Sequence, residues 1–421
     1  MKILHLNLSD YAASGGTGIA AYRLHAGLKR AGHQSKMLCL IKETSDPDVY
    51  YWDRSAATKG IERAFTVVEK QLGFRDNARI LTTMNLKNHP LFEEADVVTM
   101  HCIHEQLMSY IGLPNLGDKP LVFYTHDMWS FTGQCHYSYE CDRWKTGCGS
   151  CPHLGNLKHD NTRLEWKLKN WAYHHCNLHV ATTSTWMHDM VQQSMLNHLP
   201  IRRIPSGLDT QIYRPYDAKT CRDILGLPQD KKILMFGSIG LKELRKGGDL
   251  LVAALKALPE SVRSEVALIT MGKDELLLEE FDIPSFNFGF VTDDRVKAMM
   301  FSAADLFIFP TRADNLPLIL EESMACGTPL ISFKVGGVPD LVRPGVTGYL
   351  AEPENVEDLR DGIVKLLQDD ELRQSISRQC REIAVKEYSL ERFSQDFLDF
   401  YQQAIASTPQ VEQKRPAIPM L

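Results

Sequence analysis

Short apolar runs alternate with amphipathic segments along almost the whole chain, and this alternation limits the folds that the chain can adopt. In the first half, runs such as KILHLN, SKMLCLI, DVVTMHCI, PLVFYTHD and LHVATTS are separated by patterns typical of amphipathic helices. A second series follows, with KKILMFGS, EVALITMG, DLFIFP and PLISFKV. Strands that alternate with helices favour parallel sheets with helices on both faces. The sequence therefore predicts an α/β protein with two Rossmann-like, doubly wound domains.

The length of 421 residues also exceeds what one hydrophobic core usually supports. We predict an N-terminal domain over residues 1–212 and a C-terminal domain over residues 213–388. A helix over 389–407 follows, and a proline-rich tail without periodicity, 408–421, is expected to be loose. The helix places four aromatic residues on one face, which needs a partner: Phe393, Phe397, Phe400 and Tyr401.

Composition narrows the class of protein. Hydrophobic residues make up 44% and charged residues 24% of the chain, as in ordinary soluble proteins. The net charge of −6 provides no general attraction for nucleic acid. No apolar stretch is long enough to span a membrane, and the N-terminus resembles a first strand, not a signal peptide. We therefore expect a cytoplasmic protein that binds no nucleic acid.

The segment PTRADNLPLILEESMACGTPLISF, residues 310–333, carries the strongest chemical signal. A strand leads into a loop with Asp314 and Asn315, and a helix that starts near Pro317 follows. The free N–H groups and the dipole of a helix N-terminus favour anions. Asp314 and Glu322 lie eight positions apart, so both can reach hydroxyl groups of a ligand held there. A strand–helix unit with two surface acids explains the same spacing.

Three further features allow a functional and a structural interpretation. His126 ends the run PLVFYTHD, where a histidine either contacts a ligand or makes a structural hydrogen bond; His101 and His104 end the preceding run. The glycines of SGGTG, residues 14–18, suit a phosphate loop or a tight turn into a helix. Arg245 and Lys246 either face an anion or are solvated loop cations.

Four of the ten cysteines fall in one loop, residues 129–154, at the positions Cys135, Cys141, Cys148 and Cys151. In a reducing compartment, clustered cysteines indicate metal binding more than disulfides. Four thiolates leave no coordination position for water, so we expect a structural zinc and not a catalytic one. The alternative is four unmetallated thiols that pack the loop together with its aromatic residues.

Several motifs in order resemble the retaining glycosyltransferases of family 4, which have the GT-B fold with a cleft between the domains. The segment 310–333 resembles their acidic-x7-Glu signature, and SGGTGIAAYRLHAGLKRAGH resembles their N-terminal glycine loop. IPSGLDTQIYRP and KVGGVPDLVRPGVTGYL resemble their interdomain segment and Gly-Gly-x-Pro stretch. The resemblance extends from residue 1 to about 405. It implies that the helix at 389–407 packs back on the N-terminal domain.

The resemblance also implies roles for individual residues. Catalytic roles fall to His126, Asp314 and Glu322, and the acceptor side includes Asp127. The donor-binding residues are Gly16, Gly18, Ser238, Arg245, Lys246, Asn315, Leu316, Leu318 and Glu322. Two positions depart from the family: Asp314 stands where Glu is usual, and Ser238 stands where many relatives have Arg. Arg245 is the candidate substitute for that missing cation.

The resemblance implies a metal-independent retaining hexosyltransferase, with no cofactor for catalysis. The donor is a nucleotide diphospho-sugar of the UDP or GDP type, and the acceptor is a saccharide or a lipid-linked saccharide in polysaccharide biosynthesis. Some bacterial surface-polysaccharide relatives carry a similar Cys-rich insertion, which implies a loop that shapes the acceptor side. A lipid-linked acceptor implies peripheral contact with the inner membrane face, although the sequence shows no long basic amphipathic helix. The alternatives are a nucleotide-sugar epimerase or sugar phosphorylase of the same fold, or a degenerate, non-catalytic binding module.

Overall fold

The computed structural model describes residues 1–104, 107–154, 159–273 and 283–408. Almost all of the predicted loose tail, from residue 409 onward, lies outside these ranges. Contacts divide the chain into two compact units. Met1–Ile204, with the segment that starts at Ser394, forms the N-terminal unit, and Pro205–Phe393 forms the C-terminal unit. Each unit is built around one parallel sheet.

The N-terminal unit contains a seven-stranded sheet. Its strands are β1 (Lys2–Ser9), β2 (Gln34–Ile41), β3 (Val49–Tyr51), β4 (Val97–Met100), β5 (Leu121–Thr125), β6 (Leu178–Thr182) and β7 (Ile201–Arg203). The spatial order is β3-β2-β1-β4-β5-β6-β7, and every pair is parallel, with Ile3 aligned to Val97 between β1 and β4. The helices are α1 (Gly16–Arg30), α2 (Ala56–Leu72), α3 (Ile80–Asn85), α4 (Pro90–Glu94), α5 (Thr162–Tyr173) and α6 (Thr185–Gln192).

The C-terminal unit contains a six-stranded parallel sheet in the order β10-β9-β8-β11-β12-β13. Its strands are β8 (Lys232–Gly237), β9 (Val266–Met271), β10 (Ser285–Asn287), β11 (Leu306–Phe309), β12 (Leu330–Phe333) and β13 (Gly348–Ala351). Its helices are α7 (Ala218–Leu225), α8 (Gly248–Lys256), α9 (Glu260–Arg263), α10 (Asp294–Ala303), α11 (Leu318–Ala325), α12 (Val338–Leu341), α13 (Val356–Gln368) and α14 (Asp370–Glu387). Across the described ranges, none of the helices combines the length and the apolar character needed to cross a bilayer.

The central strands are buried because both faces of each sheet are covered. All five residues of β5 and all six of β9 are buried, as expected for parallel strands between two helical layers. The strand order reverses between β1 and β4 in the first sheet and between β8 and β11 in the second. Ligands of doubly wound sheets bind beyond the carboxyl ends of strands at such switch points. These two edges are therefore the expected positions of ligand sites.

The last helix, α15 (Leu390–Ala406), leaves the C-terminal unit and continues in the N-terminal unit. There the ring of Phe397 meets Tyr124 of β5 edge-on at a centroid distance of 5.0 Å. Tyr401 shares a hydrogen bond of 2.6 Å with the hydroxyl of Thr99 in β4. The apolar face of α15 is thus buried against strands that lie far away in sequence.

Candidate functional site

Two cations and one carboxylate meet beside the switch point of the C-terminal sheet. Arg245 and Lys246 end a short 3₁₀ turn between β8 and α8, and Asp314 lies in the loop after β11. Lys246 Nζ donates to Asp314 Oδ2 over 2.6 Å, and Arg245 Nη1 donates to the same oxygen over 3.3 Å. Oδ1 of Asp314 accepts the backbone N–H of Asn315 at 3.1 Å. All three predicted charged residues therefore form one ionic group.

The backbone of this group is set by glycines. The carbonyl of Asp314 accepts the N–H of Gly337 at 3.1 Å. The neighbouring Gly336 has a φ of 50°, and a Cβ placed on it would lie 2.1 Å from the same carbonyl oxygen. Only glycine permits this approach. The Gly-Gly stretch after β12 therefore positions the loop that carries Asp314.

The helix α11 follows this loop and carries two adjacent carboxylates with different environments. Glu321 is fully buried and accepts a hydrogen bond of 2.6 Å from Ser206 Oγ. Glu322 is also buried, and it lies on the first turns of the helix, as predicted. Of the other predicted donor residues in this unit, Asn315 and Leu316 precede α11, Leu318 is its first residue, and Ser238 directly follows β8. The hydroxyl of Ser238 donates to the carbonyl of Gly240.

In the N-terminal unit, the glycine loop makes a tight turn into α1. Gly16 is the first residue of the helix, and Gly15 before it has a φ of 64°. A Cβ on Gly18 would lie 1.8 Å from the carbonyl oxygen of Tyr11. Close packing within the unit therefore accounts for the missing side chain at Gly18.

His126 follows β5 directly and belongs to a row of histidines. Its Nε2 lies 3.3 Å from Nδ1 of His101, and Nε2 of His101 lies 3.1 Å from Nδ1 of His5. The rings of His101 and His126 are stacked at 5.6 Å. Loss of solvation lowers the pKa of His126 to about 4, although the charge of Asp127 acts in the opposite direction. A neutral imidazole at this position can donate or accept a hydrogen bond without carrying charge.

Asp127 binds two other histidines. Its Oδ2 lies 3.2 Å from Nε2 of His104 and 2.8 Å from Nδ1 of His136. Its Oδ1 accepts the N–H of Trp129 at 2.8 Å. Burial acts to raise the pKa of Asp127, but the charges and hydrogen bonds of His104 and His136 outweigh it and hold the pKa well below its usual value. The acid is thus held as a carboxylate.

The Cys-rich loop brings its four cysteines around one cavity, which is also lined by Trp144 and His153. All four thiols are free and half-buried. Burial raises the pKa of Cys148 to about 11, and the neighbouring thiols add to that shift. Gly133 N–H donates to Cys148 Sγ over 3.2 Å. The donor types fit zinc, although no three of the sulfurs lie within 4.8 Å of one another among the described residues.

Two features of this region were not predicted from the sequence. His136 lies next to Cys135, and only its contact with Asp127 shows a link between the Cys-rich loop and the end of β5. Lys169 of α5 is buried, and its Nζ donates to the carbonyls of Trp129, Thr132 and Gly133 at 2.7–3.3 Å. A lysine on a helix facing a loop 40 residues earlier has no signature in local sequence.

Comparison with known proteins agrees with this architecture. Residues 14–212 match the family described as Glycosyltransferase Family 4, and residues 217–383 match the family described as Glycosyl transferases group 1. A D-inositol 3-phosphate glycosyltransferase of Saccharomonospora viridis is 29% identical over 222 residues, which are 49% of this chain and 51% of that protein. The chain therefore matches about half the length of this curated relative.

Solved structures match nearly the whole chain. Sucrose-phosphate synthase from Thermosynechococcus elongatus aligns with a TM-score of 0.66 at 19% identity, covering 96% of this chain and 99% of that chain. Anabaena Alr3699/HepE in complex with UDP and glucose aligns with a TM-score of 0.65, also at 19% identity, with the same coverage. At this identity the likeness shows the fold, which is the predicted one of two Rossmann-like domains, GT-B.

Proposed function

The chain belongs to glycosyltransferase family 4, and from this premise we propose that it transfers a hexose from a nucleotide diphospho-sugar to a saccharide or lipid-linked acceptor, with retention of anomeric configuration. The observation that carries the proposal is the ionic group of Arg245, Lys246 and Asp314 beside the switch point of the C-terminal sheet. Two cations at such an edge are suited to a diphosphate.

In the proposed reaction the two cations stabilise the leaving diphosphate. The bond between the anomeric carbon and the diphosphate oxygen breaks, and the acceptor hydroxyl oxygen forms the new bond on the same face. The acceptor proton passes to the departing phosphate. Negative charge grows on the diphosphate in the transition state, where positioned cations contribute most. Asp314 keeps Lys246 and Arg245 in place, and in our proposal it also orients the sugar.

Other predicted residues complete the proposed donor site. The Glu322 carboxylate binds the ribose hydroxyls, and the backbone at Asn315, Leu316 and Leu318 meets the phosphates. Ser238 lines the opposite side. In the N-terminal unit, Gly16 and Gly18 lie in the first turn of α1, whose free N–H groups support phosphate contact. His126 contacts the sugar, and Asp127 contacts the acceptor. We propose no metal at the donor diphosphate.

Replacement of Glu322 by Gln tests the donor site. The substitution keeps the volume and removes the charge, so the nucleotide should bind more weakly and transfer should fall at least 100-fold. Glu321→Gln is the matched control, because this neighbour is bound to Ser206 and should act on stability more than on the Michaelis constant. Unchanged turnover in Glu322→Gln would remove this residue from the site.

Thermal unfolding with UDP, GDP and ADP tests the donor class without an acceptor. A nucleotide at about 100 times its dissociation constant adds about 2.7 kcal/mol to the stability of the state that binds it. Because the similar Anabaena structure contains UDP, we expect the shift with UDP. A shift with none of the three would favour the degenerate binding module. Donor consumption without an acceptor would favour an epimerase, and a requirement for phosphate would favour a phosphorylase.

We also propose a structural zinc held by Cys135, Cys141, Cys148 and Cys151. When bound, the ion would neutralise thiolates whose pKa values burial otherwise raises, and it would stiffen the loop after β5. Zinc analysis of the purified protein should find the metal, and Cys148→Ser with Cys151→Ser should lose it and lower the melting temperature. A folded, active protein without zinc would contradict this assignment.

The helix α2 supports the proposed contact with a membrane. Its acids point inward: Glu62 is bound by Arg54 and Arg79, and Glu69 accepts backbone N–H groups of Asn77 and Ala78. Its large apolar side chains point outward and are 45–57% exposed: Ile61, Phe65, Val67, Val68 and Leu72. A helix with buried acids and an exposed apolar face is suited to a lipid surface.

The exposed charges on α2 favour an anionic lipid surface. The exposed charged residues on the helix, Arg63 and Lys70, are both basic, so we propose an anionic leaflet. Vesicles with anionic lipid should co-float the protein, and neutral vesicles should do so much less. Phe65→Ser with Leu72→Ser should abolish flotation, whereas Ile224→Ser, an exposed residue of α7, should not. Equal flotation of both variants would exclude α2 as the docking surface.

A further inference from the structure

The group of His104, Asp127 and His136 has the composition of a metal site that is separate from the cysteines. Each residue offers one ligand atom, and the three atoms lie within 4.8 Å of one another. The carboxylate oxygen is 3.2 Å and 2.8 Å from the two ring nitrogens. Metal bonds of about 2.0–2.2 Å place neighbouring ligand atoms at about these separations. The donor atoms thus stand close to the arrangement that an ion requires.

Groups behind the ligands fix their orientation. The N–H of Trp129 holds the second oxygen of Asp127 at 2.8 Å. Cys102 Sγ lies 3.4 Å from both ring nitrogens of His104 and packs against this ring. The N–H of Met128 donates to the carbonyl of His136 at 2.9 Å and ties that residue to the loop after β5. Ligands that are oriented by outer partners are a regular feature of protein metal sites.

We propose that His104, Asp127 and His136 bind a divalent transition metal, with Zn²⁺, Co²⁺ and Mn²⁺ as the candidates. Two imidazoles and one carboxylate suit these ions and leave coordination positions open. His104 is buried, whereas the His136 side chain is 44% exposed, so solvent reaches the site from the side of His136. The open positions are filled by water or by oxygens of a phosphate or sugar. The assignment of the metal site depends only on the positions of these three residues. We further infer that the bound ion holds the acceptor, and this second inference rests on the proposed function.

Metal stoichiometry in the full chain tests this proposal. After removal of metals and dialysis against Zn²⁺, His136→Gln should bind one equivalent less than the wild type. Cys148→Ser with Cys151→Ser should keep that equivalent, because it leaves the histidine site intact. His153→Gln, which changes a histidine beside the cysteine cavity, should also keep it. Melting curves and circular dichroism without metal establish that each variant is folded.

Two results would overturn the site. One is equal stoichiometry for Zn²⁺, Co²⁺ and Mn²⁺ in the wild type and in folded His136→Gln. The other is loss of the same equivalent in His153→Gln, which would assign the ion to the cysteine cavity. Neither result depends on transferase activity, so the metal site and the proposed function fail separately. If the protein transfers sugar but binds no metal at this site, then His104, Asp127 and His136 form only a hydrogen-bonded group.

Discussion

At the scale of single residues, the structure shows contacts of Asp314 that its position in the motif does not reveal. Its Oδ2 is shared by Lys246 and Arg245, and its Oδ1 by a backbone N–H. Aspartate is one methylene shorter than the glutamate that the family resemblance implies at this position. The short side chain, the Gly-Gly stretch that holds its carbonyl and the two cations therefore form one unit.

The Lys246 charge is the most direct test of this unit. In Lys246→Met, the leaving diphosphate loses one cation in the transition state, and turnover should fall about 100- to 1,000-fold. Transfer assays and UDP-dependent melting measure the effect. Lys242→Met is the matched control, because this lysine lies exposed four residues earlier. Similar losses in both variants would point to a general effect of charge.

His25 predicts a pH dependence of stability. It is fully buried in α1, with Nδ1 2.8 Å from Ser35 Oγ, and burial lowers its pKa to about 4 against the opposing charge of Asp46. Because the unfolded chain has a pKa near 6.5, it binds more protons between pH 6.5 and 4. The contribution of His25 to the free energy of unfolding is fully present above pH 6.5. The free energy of unfolding should fall by about 3 kcal/mol as the pH drops from 6.5 to 4.

Urea unfolding at pH 7 and pH 4.5 measures how the stability depends on the protonation of His25. His25→Gln keeps a hydrogen-bonding side chain and removes the titration, so the loss between the two pH values should be smaller in the variant. An unchanged difference would show that other groups, such as the buried His5 and His101 with their lowered pKa values, account for the acid sensitivity.

At the scale of elements, loops after parallel strands carry nearly all the candidate chemistry. Gly336 shows how closely two loops approach, since a Cβ there would lie 2.1 Å from the Asp314 carbonyl. Gly345 has a similar positive φ, 72°, but open space around it. A comparison of Gly336 with Gly345 therefore separates the cost of a left-handed backbone from the cost of a steric clash.

Alanine at the two glycines should therefore act differently. Gly345→Ala should cost about 1–2 kcal/mol from the left-handed backbone alone. Gly336→Ala adds a collision with the loop of Asp314, so it should also weaken the shift that UDP produces in thermal unfolding. If both variants bind UDP like the wild type, the Gly-Gly stretch does not position the donor loop.

At the scale of the molecule, α15 completes the core of the N-terminal unit with residues from the end of the chain. Phe397 is fully buried against Tyr124, so Phe397→Ala should destabilise the protein by about 3–5 kcal/mol. The exposed Gln402→Ala on the same helix should have almost no effect. UDP should still stabilise the variant, because the proposed donor residues lie in the C-terminal unit. Loss of the UDP shift as well would contradict that assignment.

Sequence alone determined the α/β class, the two Rossmann-like domains and the family, because strand–helix periodicity and spaced motifs are local properties. It also identified Asp314, Lys246 and Arg245 as candidates, and the structure places them within hydrogen-bonding distance. The sequence shows no long basic amphipathic helix, because the acids of α2 mask its basic and apolar face. In the structure both acids are buried: Glu62 pairs with Arg54 and Arg79, and Glu69 accepts the backbone N–H groups of Asn77 and Ala78.

Tertiary structure alone decided which of these residues meet. His104, Asp127 and His136 come from the ends of two strands and from the Cys-rich loop, and Lys169 reaches three carbonyls from a helix. Such contacts depend on how parallel strands place their carboxyl ends side by side, which no spacing along the chain encodes. Local pattern specifies the elements, and long-range packing specifies the chemistry at their ends.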